Sequence, residues 1–160
     1  MRAYIVEVQI EKPYRAQHQV QLEVLRRAAE ATLQRQRVAE ACELTVLVTG
    51  DETLRELNRR HLGVDAPTDV LAFPGEAQGP FVDPPGLPRY LGDVIISFPR
   101  AEVQAAEAGN QLSAELQLLV VHGVLHLLGY DDQTGPERAR MWRAQQSVLD
   151  DLGIEVHLPD

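Results

Sequence analysis

Along residues 3–10, AYIVEVQI, apolar and polar positions alternate. Tyr4, Val6, Val8 and Ile10 fall on one face and Glu7 and Gln9 on the other, the period of two that predicts a half-buried strand. The period then lengthens. Over 17–36, Leu22, Leu25, Ala29 and Leu33 form one apolar stripe, which predicts a helix. The β-branched run 43–49, ELTVLVT, predicts a second strand. Asp51, read as an N-cap, predicts a helix to about His61 with Leu54 and Leu57 facing inward.

Residues 62–69, LGVDAPTD, read as a polar turn, and VLAF, 70–73, as a short strand stopped by Pro74. LGDVIIS, 91–97, reads as a further strand that pairs with 70–73 as a hairpin. Between them, 74–90 contains five prolines and three glycines and is expected to be a long surface loop. Pro99 and Gly109 bound a helix over 99–108. Ser113 is expected to cap a helix running to about Leu128 and ended by Gly129. Pro136 is expected to start the last helix, which Gly153 ends, with a stripe of Met141, Gln145, Val148, Leu149 and Leu152. The tail from 154 is expected to be extended. No internal repeat is visible. The elements predict an α/β (α+β) domain over 1–160, with a small mixed sheet of about four strands packed by about five helices.

Composition narrows this picture. A chain of 160 residues suits one core, and aromatics at 5% leave Leu, Val, Ile and Ala to fill it. One cysteine, Cys42, excludes an internal disulfide framework and zinc-ribbon spacing. Glu7 and Gln9 interrupt the first apolar segment, so no signal peptide is expected. The longest apolar run, Leu118 to Leu128, is too short to span a bilayer. A cytoplasmic setting with no membrane partner follows as the expectation. The formal net charge of -9 argues against nucleic-acid binding by overall charge and against DNA as a partner. RNA contact would need a local basic patch. Arg55, Arg59 and Arg60 are close in sequence, and Arg89 and Arg100 lie elsewhere; a solvated helix face is the ordinary reading of such residues.

The chemistry concentrates in HGVLHLLGYDD, 122–132. His122 and His126 stand four apart, so two imidazoles project from one helix face within reach of a single ion. Their neighbours are apolar nearly all round, which predicts a buried helix. Buried imidazoles need partners, either hydrogen-bonding groups or a metal. Gly129 can take a positive φ and fold the chain back, letting Asp132 return a carboxylate to the same point. His122, His126 and Asp132 are therefore the candidate ligands of one Zn²⁺ or another divalent transition metal. Asp131 is an alternative ligand or a partner of a ligand imidazole, and for it and Tyr130 an ordinary turn role stays open. The pattern H-x-x-x-H-x-x-G-x-x-D is similar in spacing to the zincin-like metal helix of metzincin proteases. Gly123 stands where those enzymes carry the Glu that takes a proton from the attacking water, so peptidase chemistry is not expected.

Three stretches together resemble the YbeY endoribonucleases, single-domain rRNA maturation factors. HGVLHLLGYDD resembles their signature. LNRRHLGVDAPTDVLAFP, 57–74, is similar to the segment leading into their third strand, and LGDVIISFPRAEVQA, 91–105, to their fourth strand and following helix. They occur in the family order across roughly residues 44 to 150. The resemblance implies a metal-dependent, single-strand-specific endoribonuclease acting in 3′-end maturation of small-subunit ribosomal RNA and in ribosome quality control. It implies His122, His126 and Asp132 as ligands, with Asp132 where the family usually has a third His. The family commonly carries an Arg where Leu62 stands and often a Ser where Ala72 stands. Arg59 and Arg60 are then the nearest candidates to steady phosphate charge. Two other readings compete: a ribosome-associated factor with a structural metal and no catalysis, and a zinc hydrolase of another substrate such as a peptide.

Overall fold

A computed structural model describes the backbone of residues 4–18, 22–75 and 88–157. Its elements, in chain order, are β1 (Tyr4–Ile10), α1 (Lys12–His18), α2 (Leu22–Arg35), β2 (Cys42–Thr49), α3 (Asp51–Leu62), β3 (Val70–Pro74), β4 (Arg89–Ser97), α4 (Phe98–Ala108), α5 (Leu112–Leu127) and α6 (Gly135–Leu152). The four strands form one mixed sheet in the order β1-β2-β4-β3. β1, β2 and β4 run parallel, and β3 returns antiparallel to β4 with Val70 opposite Ile96 and Pro74 opposite Gly92. The α+β class and the 70–73/91–97 pairing expected from the sequence are present.

Strand alternation divides the core. Val94 and Ile96 join Val6, Val8, Ile10, Leu44, Val46 and Val48 on the face covered by α2, α5 and α6. Ile95 points to the other face, where it meets Leu71 and Leu54 of α3. α5 is the central helix of the large layer, packing on α2, α4, α6 and the β3–β4 edge. This explains why its sequence is apolar nearly all round: Leu116, Leu119, Val120, Val121, Val124 and Leu125 are all buried. The layer presents the C-terminal turn of α5, with its histidines, at the molecular surface.

Several boundaries differ from the sequence expectation. The helix expected over 17–36 is represented by α2, Leu22–Arg35, with Leu25, Ala28, Ala29 and Leu33 buried; α1, Lys12–His18, is an additional helix, and 19–21 lie outside the described residues. Among the described residues there are six helices, where the sequence predicts about five. The cap of α3 is Gly50, not Asp51. Asp51 instead accepts a hydrogen bond from the Ser97 hydroxyl (2.5 Å) and pairs with Arg100 (3.7 Å). The N-cap position of α5 is Gln111, two residues ahead of the expected Ser113, and its side chain makes no capping hydrogen bond. Pro136 lies in the first turn of α6 as expected, one residue after its start at Gly135, and Thr134 caps the helix, its hydroxyl accepting from the Glu137 N–H and donating to the Glu137 carboxylate. Ser97 caps α4 through its hydroxyl, so that helix begins at Phe98. β4 starts at Arg89, inside the stretch expected to be loop; the remainder of that loop, 76–87, lies outside the described residues. Of the tail, expected to be extended, residues 154–157 belong to no helix or strand, and 158–160 lie outside the described residues.

Candidate metal centre

α5 carries His122 and His126 one turn apart, with their Nε2 atoms 3.1 Å from each other. Leu128 ends the helix, and Gly129 follows at φ +103°, a conformation that favours glycine. The reversal is closed by Gly129 N–H donating to the His126 carbonyl and Tyr130 N–H to the Leu125 carbonyl. It brings Asp132 Oδ2 to 3.9 Å from His122 Nε2 and 4.0 Å from His126 Nε2. The three candidate ligands of the sequence are thus brought together, with donor atoms all within 4.8 Å of one another. Donors around a tetrahedral zinc sit about 3.3 Å apart, given metal–nitrogen bonds of ~2.0–2.1 Å. The cluster needs only small side-chain adjustment to meet that.

The far edge of each ring fixes its tautomer. His126 Nδ1 lies 2.9 Å from the Tyr130 carbonyl oxygen, which can only accept, so Nδ1 carries the proton. His122 Nδ1 lies 3.1 Å from Gln145 Oε1, which makes it a donor in the same way. With Nδ1 donating in both rings, the neutral imidazoles turn their Nε2 lone pairs toward each other at 3.1 Å. This arrangement is repulsive unless a cation sits between. The donor set of two imidazole nitrogens and one carboxylate suits a borderline divalent ion, so the residues fit the metal. The His122 pKa is lowered, first by burial and then by His126, against smaller opposing effects of Gln145, Asp69 and Asp132. A depressed pKa keeps the ring neutral, the form a metal requires. The ligand side chains are partly open, 28% exposed for the histidines and 47% for Asp132, leaving room for substrate.

Gln145, which the sequence placed only in the stripe of α6, meets the candidate ligand His122 at 3.1 Å. It is 5% exposed, buried among Met141, Val148 and Leu149. A polar amide at a core position was the available signal, but its partner lies 23 residues away and is set by how α6 packs on α5. Tyr130 has an anchoring role: its carbonyl orients His126 and its hydroxyl donates to Gln36 of the segment after α2 (2.8 Å). Asp131 turns onto its own chain, accepting from Asp132 N–H at 2.7 Å, and is outside the ligand cluster.

Gly123 is buried against the sheet. A Cβ there would meet Val94 Cγ1 at 2.4 Å, so neither Glu nor any other side chain fits unless Val94 or the helix shifts. Arg59 and Arg60 lie exposed at the end of α3, and both pair with Glu56, at 2.7 and 3.1 Å. Arg59 is the chief reason the Glu56 carboxyl is held below its usual range. Arg55 is bound to Asp65 (2.8 Å), and Arg89 to Glu40 (3.3 Å). Leu62 is exposed. Among the described residues no helix is long and apolar enough to cross a membrane.

The chain matches the family described as Endoribonuclease YbeY over residues 7–153. It is 45% identical over 153 residues to an endoribonuclease YbeY of Chloroflexus aurantiacus, covering 94% of this chain and 97% of the relative. A Roseiflexus castenholzii relative of the same name is 45% identical over 151 residues, with 94% of each chain covered. One from Shouchella clausii is 40% identical, covering 93% of this chain and 95% of the relative. The fold is similar to a Thermotoga maritima protein whose solution structure is known, with a TM-score of 0.56 at 21% identity over 93% of this chain and 92% of that one.

Proposed function

The chain belongs to the endoribonuclease YbeY family, and from that premise we propose that it is a metal-dependent endoribonuclease that cuts single-stranded RNA at the centre formed by His122, His126 and Asp132. The observation that carries this reading is the pair of Nε2 atoms 3.1 Å apart with the Asp132 carboxylate within 4.0 Å of both. Zn²⁺ is the metal we assign to them. When bound, such an ion supplies Lewis acidity to a phosphoryl oxygen and to an attacking water.

The chain's own residues do the rest. Gln145 and the Tyr130 carbonyl hold the two rings in the tautomer that presents Nε2 outward. Asp132 adds negative charge at the mouth of the site. Gly123 leaves the helix without a carboxylate at the position a zinc peptidase uses, which speaks against peptide hydrolysis. Arg59 and Arg60 are the cations we assign to phosphate, on exchange of Glu56 for the substrate's charge. With a net charge of -9, affinity for random RNA is expected to be modest and salt-sensitive. The family resemblance supports small-subunit ribosomal RNA as the substrate, its 3′-end maturation and ribosome quality control as the role, and the cytoplasm as the place. The whole chain would act as one hydrolase domain.

The test is cleavage of a single-stranded ribosomal RNA fragment by metal-loaded protein, beside His126→Ala purified identically and a chelator-treated sample. Cutting by the untreated protein alone is expected. No cutting by metal-loaded protein would overturn the enzymatic reading in favour of a ribosome-associated factor whose metal is structural. Equal cutting by His126→Ala would place the activity elsewhere.

A further inference from the structure

Next to the metal centre lies a cavity of about 620 Å³, bordered by Asp69, Gln104, Glu107, Glu115, His122 and Trp142. Its size falls in the range of small-ligand sites, roughly 300–1,000 Å³. His122 is common to both places: its Nε2 faces the ligand cluster, while the ring also borders the cavity. A nucleotide with its phosphate at the metal would therefore have its base within reach of this cavity.

The lining says what kind of group belongs there. Trp142, the sole tryptophan of the chain, is 49% exposed on the rim, a large flat apolar surface left facing solvent. Such a ring is a stacking platform for an unpaired base. No Lys or Arg lines the cavity, and its three formal charges, Asp69, Glu107 and Glu115, are all acidic. Phosphate is thus disfavoured inside, and a ligand edge rich in donors is favoured. The Asp69 carboxylate already accepts from the Val70 N–H, Thr68 and Gln104. Glu115 is buried and bound to Asn110. Glu107, exposed on α4, has no hydrogen-bond partner among the described residues. It offers two acceptor oxygens. Of the four RNA bases only guanine presents two adjacent donors, N1–H and the N2 amine, on its Watson–Crick edge. Uracil presents one donor between two carbonyl oxygens, which a carboxylate repels.

We propose that this cavity is a nucleobase subsite that selects guanine beside the scissile phosphate, by stacking on Trp142 and paired hydrogen bonds to Glu107. The proposal rests on the reading of the metal centre as an RNA-cutting site. Because Trp142 is the only indole, its N–H resonance reports the site directly, without cleavage. The experiment follows that resonance in zinc-loaded protein titrated with GMP, AMP, CMP and UMP. GMP is expected to shift it at about tenfold lower concentration than UMP. Glu107→Gln, which removes an exposed charge, is expected to bring GMP and UMP within about twofold of each other. GMP and UMP acting at the same concentration, no shift with any nucleotide, or an unchanged preference in Glu107→Gln would each overturn the proposal. The two readings fail separately. A guanine preference without RNA cleavage upholds the subsite and removes the nuclease; cleavage at the metal without any base preference does the reverse.

Discussion

Gly123 of α5 sits against Val94 of β4 so closely that a Cβ on the glycine would lie 2.4 Å from Val94 Cγ1 and 3.0 Å from Cγ2. This contact sets the distance between the metal helix and the sheet. It also leaves no room for a side chain at position 123, next to the candidate ligand His122.

Gly123→Ala should accordingly destabilise the protein by about 1–3 kcal/mol, the usual cost of overpacking a core. Val94→Ala should cost stability alone by opening a cavity, but the double variant should recover part of the loss. Urea denaturation of the four proteins measures the interaction. Strict additivity would show that the helix is not held by this contact.

Gln145→Ala removes the acceptor that keeps His122 in its ligand tautomer. Metal affinity, measured by competition with a chelator, should fall by about 10–100-fold. Gln145→Glu keeps an acceptor at that place and should retain affinity. An equal loss in both variants would mean that Gln145 matters only for packing.

The His122 pKa is lowered in the folded state by burial and by His126. Between its ordinary value of 6.5 and the lowered value, the unfolded chain binds more protons than the folded one, so stability rises with pH there. The metal-free protein should therefore lose stability as pH falls below about 6.5. His122→Gln should flatten that dependence. Chemical denaturation between pH 7.5 and 5 checks it, and parallel curves for the two proteins would refute it.

Glu115 shifts the other way. Burial raises its pKa, Asp69 adds to this, and the hydrogen bond from Asn110 opposes it. The folded state then holds its proton to higher pH than the unfolded state, and the charge it carries at neutral pH opposes folding. Glu115→Gln should raise the melting temperature at pH 7, with the gain shrinking as pH drops towards 4. A gain that does not vary with pH would point to a cause other than charge.

Much of this was legible in the sequence because it is local. Alternation over Tyr4–Ile10 and the β-branched run within Cys42–Thr49 specify strands, since a period of two and branched side chains suit a pleated chain. The four-residue spacing of His122 and His126, and a glycine at the point where φ turns positive, specify two candidate ligands and the reversal that brings Asp132 beside them. The same locality explains the errors at helix starts. Ser113 and Asp51 are good caps by type, but which residue takes the cap is decided by where the helix meets its neighbours, and Gln111 and Gly50 take it. The tertiary structure alone set the strand order β1-β2-β4-β3, the meeting of Gln145 with His122, the exclusion of any side chain at Gly123 by Val94, and the cavity shared by α4, α5 and α6. Those relationships join residues far apart in the chain. They arise from packing geometry between whole elements, which no periodicity within one element encodes.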